Sequence, residues 1–129
     1  MEPKQLRKKI SRRRSGFEPE VEAALLKKFP GLTYESETLS YVIPAREAKY
    51  IPDFVAKGKK KVYFEAKGYF SSQDRTKLLR VKAAHPKVDL RIIFQADNWL
   101  TKKKKSRYSD WARKHGFRFC IWPNLEDVL

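Results

Sequence analysis

Two acidic residues interrupt segments that otherwise resemble β-strands, although Asp and Glu are poor strand formers. They are Asp53 and Glu65, and Lys67 follows two residues after the second. Side chains alternate across a strand, so Glu65 and Lys67 point to the same face. If residues 51–55 pair antiparallel with residues 61–67 around a short turn, Asp53 lies beside Glu65. The spacing therefore predicts that two carboxylates and one ammonium group converge.

Such a group of side chains has a recognisable chemistry. Two carboxylates on neighbouring strands can hold a hard divalent cation such as Mg²⁺, and the carbonyl of Ala66 can add a ligand. A divalent cation makes a coordinated water easier to deprotonate, and Lys67 can orient that water or offset charge on a phosphate. This is the chemistry of phosphodiester hydrolysis. The structural alternative is a turn at Asp53 and an ordinary charge pair between Glu65 and Lys67.

A further acidic residue, Glu18, lies near the start of a predicted amphipathic helix. Residues 15–31 place apolar side chains at four-residue intervals, with Pro19 near the start and a Pro-Gly pair at the end. Acidic residues commonly complement the positive end of a helix. The pattern is thus compatible with Glu18 as a metal ligand and with Glu18 as a residue of the helix end.

The chain is strongly basic. Thirty Lys and Arg against fifteen Asp and Glu give a formal charge of +15, which attracts polyanions, and nucleic acid is the leading expected partner. A basic surface that serves solubility or binds an acidic protein is the alternative, whereas for membrane binding the sequence lacks a basic amphipathic helix or a lipidation motif. Residues expected to contact DNA are Arg7, Lys8, Lys9, Arg12, Arg13 and Arg14 in an N-terminal arm, Lys57, Lys59 and Lys60 beside the carboxylates, and Lys102, Lys103, Lys104 and Lys105 in a second patch.

The length of 129 residues is that of one ordinary domain. Residues 1–14 have almost nothing to bury and are expected to form a flexible basic arm, which leaves residues 15–129 as the single domain. Cys120 is the one cysteine, and there is neither a long apolar run nor a signal-peptide pattern. The sequence therefore favours a soluble protein of the cytoplasm.

The order of patterns predicts an α/β domain with a mixed sheet. Ser72 and Asp74 are the expected caps of the second helix. The strand that follows this helix would complete a β-α-β unit. The predicted elements after the first helix are strands 32–44, 50–56 and 60–67, helix 71–86, strand 88–95, helix 108–116 and strand 117–122.

The arrangement of Pro52-Asp53 with Glu65-Ala66-Lys67 resembles the PD-(D/E)xK nucleases. Beyond it, the segments SGFE, YVIPA, PDF, EAKG, DLRIIF and KHG occur in one order between Ser15 and Phe119. That order resembles the phage endonuclease I family, the junction-resolving enzymes of podophages.

The resemblance implies a restriction-endonuclease-like mixed β-sheet flanked by helices, in a homodimer that exchanges strands. It implies cleavage of four-way (Holliday) junctions and other branched double-stranded DNA, with Mg²⁺ as the cofactor, Mn²⁺ as a substitute, and no small-molecule cofactor. Two rivals stay open, namely a nuclease of linear or mismatched duplex and a basic DNA-binding protein without catalysis.

The resemblance also assigns roles to particular residues. It makes Glu18, Asp53, Glu65 and Lys67 catalytic, and it makes Asp53, Glu65, Ala66 and Glu18 the metal ligands. Glu18 would come from one chain and the others from its partner. Residues 41–50 would form the bridge between subunits, and Pro44 favours an extended path there.

Overall fold

The computed structural model describes residues 17–43 and 46–129. Its helices are α1 (Phe17–Lys28), α2 (Ser72–Ala84) and α3 (Tyr108–Lys114), with a 3₁₀ helix at Leu125–Val128. Its strands are β1 (Thr33–Tyr34), β2 (Leu39–Ile43), β3 (Arg46–Tyr50), β4 (Phe54–Lys57), β5 (Lys61–Lys67), β6 (Asp89–Phe94) and β7 (Arg118–Ile121). The predicted arm at 1–14, with its six named Arg and Lys residues, and Pro44 of the predicted bridge lie outside the described residues.

Five strands form a mixed sheet in the order β1-β4-β5-β6-β7. Strand β4 is antiparallel to both of its neighbours, β1 and β5, whereas β5, β6 and β7 run parallel to one another. Helix α2 connects β5 to β6, so the predicted β-α-β unit is confirmed. The predicted mixed α/β class is confirmed as well.

Both faces of the sheet are covered, which explains why β5 is buried along most of its length. On one face, Tyr63 and Phe94 pack with α2, α3 and the β2–β3 pair. On the other face, Phe64 and Ile93 pack with α1 and the 3₁₀ helix. Because side chains alternate along β5, Glu65 lies on the same face as Tyr63, under α2. In the described part of the chain, no helix is long and apolar enough to cross a membrane.

The prediction of one strand over residues 32–44 was wrong. Strand β1 belongs to the five-stranded sheet, whereas β2 pairs antiparallel with β3 in a separate two-stranded sheet. The chain turns between them at Glu35, whose φ of 46° is incompatible with a strand. The backbone N–H of Glu35 donates to the Asp53 carbonyl at 3.0 Å, which fixes this turn against the residue preceding β4.

The described residues of the predicted bridge, 41–43 and 46–50, are extended, and their role between subunits stays a prediction. Within the single chain, these residues contribute to β2 and β3, which pair with each other rather than continuing in one direction. Tyr41, Ala48 and Tyr50 are buried in the cluster that includes α2. The sequence of β3 includes the charged residues Arg46, Glu47 and Lys49, which are not typical of a strand, so β3 was not predicted.

Two predicted boundaries also shift by a few residues. The predicted strand 50–56 begins only at Phe54, because Pro52 has no N–H for a ladder and Asp53 uses its side chain instead. The N-cap of α2 is Ser71 rather than Ser72. Ser71 Oγ accepts the Asp74 N–H at 3.0 Å, and Asp74 Oδ2 accepts the Ser71 N–H at 3.0 Å, a reciprocal capping box.

Candidate active site

The pairing of β4 with β5 brings Asp53 and Glu65 together. Phe54 is opposite Phe64 in this antiparallel pair, so the preceding residue of one strand meets the following residue of the other. Asp53 Oδ2 accepts the backbone N–H of Ala66 at 2.9 Å, and the Asp53 N–H points to Glu65 Oε1 at 3.4 Å. The predicted convergence of the two carboxylates is confirmed, although Asp53 lies just before its strand rather than within it.

Glu65 is 6% exposed and is held from two sides. The Tyr50 hydroxyl donates to Glu65 Oε1 at 2.6 Å, and Lys67 Nζ lies 3.3 Å from Glu65 Oε2. Burial, reinforced by the charge of Glu65, raises the pKa of Tyr50 well above its usual value, so this hydroxyl keeps its proton. Sequence reasoning missed Tyr50, since only the packing of β3 under α2 brings it to the site.

Lys67 lies between two carboxylates. Its Nζ contacts Asp74 Oδ1 at 3.2 Å as well as Glu65. Burial acts to lower the pKa of Lys67, but the charges of Glu65 and Asp74 outweigh it and raise that pKa above its usual value. Burial likewise acts to raise the pKa of Asp74, yet Lys67 and the capping contacts of Ser71 hold it below its usual value. Lys67 is therefore an ammonium at neutral pH.

Asp53 and Glu65 lie in a buried environment that disfavours the charged form of a carboxyl group. Burial, with the nearby charge of Glu65 as the next cause, raises the pKa of Asp53 to about 8. Burial also raises the pKa of Glu65, although Lys67 and Tyr50 oppose that change. A cation at this position would relieve both effects, so the donor set fits a divalent ion.

A backbone oxygen can complete this donor set. The N–H and C=O of one strand residue point to the same side, so the Ala66 carbonyl lies on the side of Asp53, to which its N–H donates. Among residues 17–43 and 46–129, no three His, Cys, Asp or Glu side chains are grouped closely enough to hold a metal. Two carboxylates and a carbonyl suit Mg²⁺, which takes few protein ligands and keeps several waters.

Glu18 lies outside this immediate pair but within electrostatic range of it. It occupies the first turn of α1, and its Oε2 accepts the Tyr34 hydroxyl at 3.1 Å. After burial and Glu65, the charge of Glu18 is a further cause that raises the pKa of Asp53. Within a single chain, Glu18 is therefore close enough to Asp53 for its charge to act on that carboxyl group.

Three of the lysines that were expected beside the carboxylates lie far from them. Lys57, Lys59 and Lys60 surround the β4–β5 turn, at the end of β5 opposite to Glu65. Four residues of strand separate Lys61 from Glu65, or about 13 Å. Lys57 contacts Glu37 at 3.7 Å instead. The prediction of proximity was wrong because the turn reverses the chain away from the carboxylates.

The second predicted lysine patch follows the end of β6, at the end of the sheet where Asp53 and Glu65 lie. We term the sheet edge at which β4 begins and β5 and β6 end the carboxylate edge. Lys67 pairs with Phe94 in the parallel ladder, so the chain leaves β6 at this edge and carries the exposed Lys102, Lys103, Lys104 and Lys105. A hydrogen bond of 2.8 Å from the Leu100 N–H to the Ser106 carbonyl closes their loop.

The fold and this site define a class of protein: a mixed α/β domain with an acidic pair and a lysine at one edge of its sheet. Residues 2–122 match the sequence model of the family described as phage endonuclease I. Endonuclease I of Escherichia phage T7 is 35% identical over 114 residues, covering 88% of this chain and 75% of that protein. Endodeoxyribonuclease 1 of Enterobacteria phage T3 is 36% identical over 108 residues, covering 83% and 70%. The chain belongs to the phage endonuclease I family.

Asp53 is expected to make the metal-free protein sensitive to pH. Its pKa is about 8 in the fold against a usual 3.8, so the folded chain binds the additional proton between these values. This contribution to stability is lost as pH rises from about 4 to about 8. The unfolding midpoint of Asp53→Asn, measured in EDTA, should therefore rise relative to that of the parent as pH increases across this interval.

A matched control for that measurement is Asp110→Asn. Asp110 is exposed and also accepts a backbone N–H, from Arg107 at 2.9 Å, so Asn preserves a comparable hydrogen bond at both positions. Its midpoint should follow that of the parent. A constant difference between Asp53→Asn and the parent from pH 4 to pH 8 would contradict the raised pKa of Asp53.

Proposed function

We propose that the protein is an endodeoxyribonuclease that hydrolyses phosphodiester bonds at four-way junctions and other branched DNA. The observation that carries this proposal is the contact of Asp53 with Glu65 and of Glu65 with Lys67 at the carboxylate edge. The names of the T7 and T3 relatives, an endonuclease and an endodeoxyribonuclease, support DNA as the substrate. The charge of +15 supports it as well.

The residues divide the chemistry between them. Asp53, Glu65 and the Ala66 carbonyl would hold Mg²⁺, with Mn²⁺ as a substitute, and Glu18 approaches from α1. When bound, the ion supplies Lewis acidity toward the phosphate and the attacking water. Tyr50 fixes the orientation of Glu65 through its 2.6 Å hydrogen bond. Lys67, held as an ammonium, offsets the negative charge that develops on the phosphate, rather than acting as a base.

Asp74 supports this chemistry indirectly, because it holds Lys67 in place. Asp74→Asn removes the charge but keeps an oxygen that can accept the Ser71 N–H. We expect it to lower kcat for junction cleavage by about 10-fold or more, the usual scale for a mispositioned catalytic group, with little change in KM. Steady-state cleavage of an end-labelled junction would measure both constants.

The control for this variant is Ser71→Ala. It removes the hydroxyl that caps α2 while leaving the contact between Asp74 and Lys67 intact. The folded fraction of each variant is checked by thermal unfolding. If Ser71→Ala lowers kcat as much as Asp74→Asn does, Asp74 acts through helix stability and not through Lys67.

We further propose a homodimer with a composite site. The β2–β3 pair forms its own two-stranded sheet, so its pairing can be made equally well with the same strands of a second chain. Glu18 precedes this segment and Asp53 follows it. An exchange through residues 41–50 would therefore bring Glu18 of one chain to Asp53 and Glu65 of the other.

DNA binding should depend strongly on salt, because phosphate contacts dominate it. The plot of log affinity against log salt should be linear, with a slope of roughly −0.9 for each phosphate neutralised. Replacing Lys102–Lys105 with Ser should make that slope shallower by about 3, whereas replacing Lys57, Lys59 and Lys60 at the opposite edge should change it by less than 1. Equal effects of both replacements would contradict the assignment of DNA to the carboxylate edge.

The proposed function is tested by cleavage of an end-labelled four-way junction and a linear duplex of matched sequence, each with and without Mg²⁺. Selective, Mg²⁺-dependent cutting of the junction is the expected result. Equal cutting of both substrates would instead favour a nuclease of linear duplex. Tight junction binding without cutting under Mg²⁺ or Mn²⁺ would leave a DNA-binding protein without catalysis.

A further inference from the structure

Large apolar side chains are exposed at the carboxylate edge, where a basic, polar surface would be expected. In the described part of the chain, the exposed ones include Ile51 at 50%, Tyr69 at 71% and Trp99 at 38%. Ile51 lies two residues before Asp53, Tyr69 lies two residues after Lys67, and Trp99 follows β6. Single exposed apolar residues are common, and the Arg107 guanidinium covers the Trp99 ring at 3.9 Å from its centroid, so Ile51 and Tyr69 are the two that call for an explanation.

Tyr69 is the most exposed of the three, and the backbone on which it stands is well fixed. The next residue, Phe70, is 1% exposed and packs with ring centroids 4.9 Å from Trp111 and 5.2 Å from Phe94. The Phe70 N–H donates to the Tyr108 hydroxyl at 3.2 Å, and Arg75 Nη1 donates to the Phe70 carbonyl at 2.9 Å. The exposed Tyr69 ring therefore extends from a segment of backbone that the buried Phe70 holds in place.

On the other side of Tyr69 the chain lies close to the end of β6, where the Gln95 N–H donates to the Lys67 carbonyl at 2.9 Å. A Cβ added at Gly68 would lie 3.0 Å from Gln95 Oε1, so the segment between β5 and α2 passes closely along the end of β6. Two residues of chain span at most about 7 Å, which places the Tyr69 backbone within that distance of Lys67. A DNA strand cut at the acidic pair would therefore lie within reach of the segment that carries Tyr69.

A branch point offers such a ring a partner that a linear duplex lacks. Inside a duplex every base is stacked on both sides, so an aromatic side chain cannot reach a base face without unstacking the helix. Where helices meet at a branch, the stack can be interrupted and a base-pair face becomes accessible. An aromatic ring can stack on any base, because every base has a π-face, so this contact is insensitive to base sequence.

We propose that Tyr69 stacks on the base-pair face exposed at the branch point, next to the phosphate to be cut. This inference rests on the proposed function and deepens it, because it names the side chain by which branched DNA is distinguished from linear duplex. The lysines of the carboxylate edge hold phosphates of any duplex, whereas Tyr69 has a partner only where stacking is broken.

The test compares Tyr69→Ala, Tyr69→Trp and Leu129→Ala. Leu129 is another exposed apolar residue, 38% exposed, next to the 3₁₀ helix that packs on the opposite face of the sheet, and it is the control. Cleavage of a four-way junction and of a matched linear duplex gives the ratio of kcat/KM for the two substrates. We expect Tyr69→Ala to lower this ratio by roughly 5- to 100-fold, the range of aromatic stacking on a base, and Tyr69→Trp to restore it.

A second readout reports stacking without cleavage. A junction carrying 2-aminopurine beside the branch point is bound by the Asp53→Asn protein, and quenching of its fluorescence is recorded with and without the additional Tyr69→Ala change. Quenching that depends on Tyr69 supports the proposal. A ratio of kcat/KM that is unchanged by Tyr69→Ala would overturn it, and so would quenching that is the same with and without the Tyr69 ring.

Three results distinguish a wrong inference about Tyr69 from a wrong proposed function. If sedimentation shows that Tyr69→Ala dissociates a dimer, the ring belongs to a subunit interface and the proposal is wrong. If the unsubstituted protein cuts junction and duplex equally, the proposed function fails first, and Tyr69 then has no branch selectivity to confer. A selective parent enzyme with an equally selective Tyr69→Ala variant rejects this inference alone.

Discussion

Replacing Asp53 with Asn is expected to lower junction cleavage by about 10³-fold or more while leaving junction binding intact. Asn has nearly the same shape and keeps an oxygen for the Ala66 N–H, so the local fold should persist. What it loses is an anionic ligand for the divalent ion. Loss of several kcal/mol of transition-state stabilisation corresponds to about three powers of ten in rate.

The measurement is single-turnover cleavage of an end-labelled junction under saturating Mg²⁺, with binding followed separately by gel retardation. Asp110→Asn is the matched control and should cut within about 2-fold of the parent, as exposed substitutions usually do. Binding by Asp53→Asn should equal or exceed that of the parent, because a negative charge near the DNA is removed. Retained cleavage in Asp53→Asn would remove Asp53 from the chemistry and favour its structural reading as a turn residue.

Mixing two inactive variants, Glu18→Ala and Asp53→Ala, is expected to restore cleavage once subunits exchange. In a composite site, a mixed dimer has one site lacking both residues and one site that is complete. Random exchange of equal amounts makes about half of the dimers mixed, so about a quarter of the parent's sites are regained. The regained activity should nick one strand of a junction without resolving it, since each mixed dimer has a single complete site.

A site built from the residues of one chain gives the opposite result in this experiment. If Glu18 serves the Asp53 of its own chain, as the single-chain geometry permits, both sites of a mixed dimer stay incomplete and no cleavage returns. Exchange must be demonstrated independently, for example with subunits that carry different tags. Absence of activity after demonstrated exchange would contradict the composite site, and it would leave the nuclease chemistry of each chain unaffected.

Much of the site could be predicted from the sequence, because the positions of its residues depend on the local geometry of one strand and one turn. Alternation along β5 placed Glu65 and Lys67 on one face, and a short turn returned Asp53 to Glu65. The same reasoning failed for Lys57, Lys59 and Lys60, whose nearness in sequence was taken for nearness in space. A strand separates residues at about 3.3 Å each, so a few positions suffice to reach the opposite edge of a sheet.

Long-range contacts determine the features of the site and the fold that could not be predicted from the sequence. Nothing in the spacing of Tyr50 or Asp74 connects them to Glu65 and Lys67, because their side chains arrive through the packing of β3 and α2. The division of residues 32–44 between two sheets likewise depends on a backbone turn at Glu35 that carries no Gly or Pro signal. These features are set by tertiary packing and have no local pattern.

The sequence by itself determined the α/β class, the β-α-β unit, the charge that attracts polyanions and the acidic pair with its lysine, since each follows from residue type or from a period of a few residues. Only the tertiary structure decided which side chains surround that pair, which lysines share its edge and that Tyr69 is exposed there. It also sets the protonation of the site, because burial and neighbouring charge, rather than residue type, raise the pKa of Asp53 and keep Lys67 an ammonium.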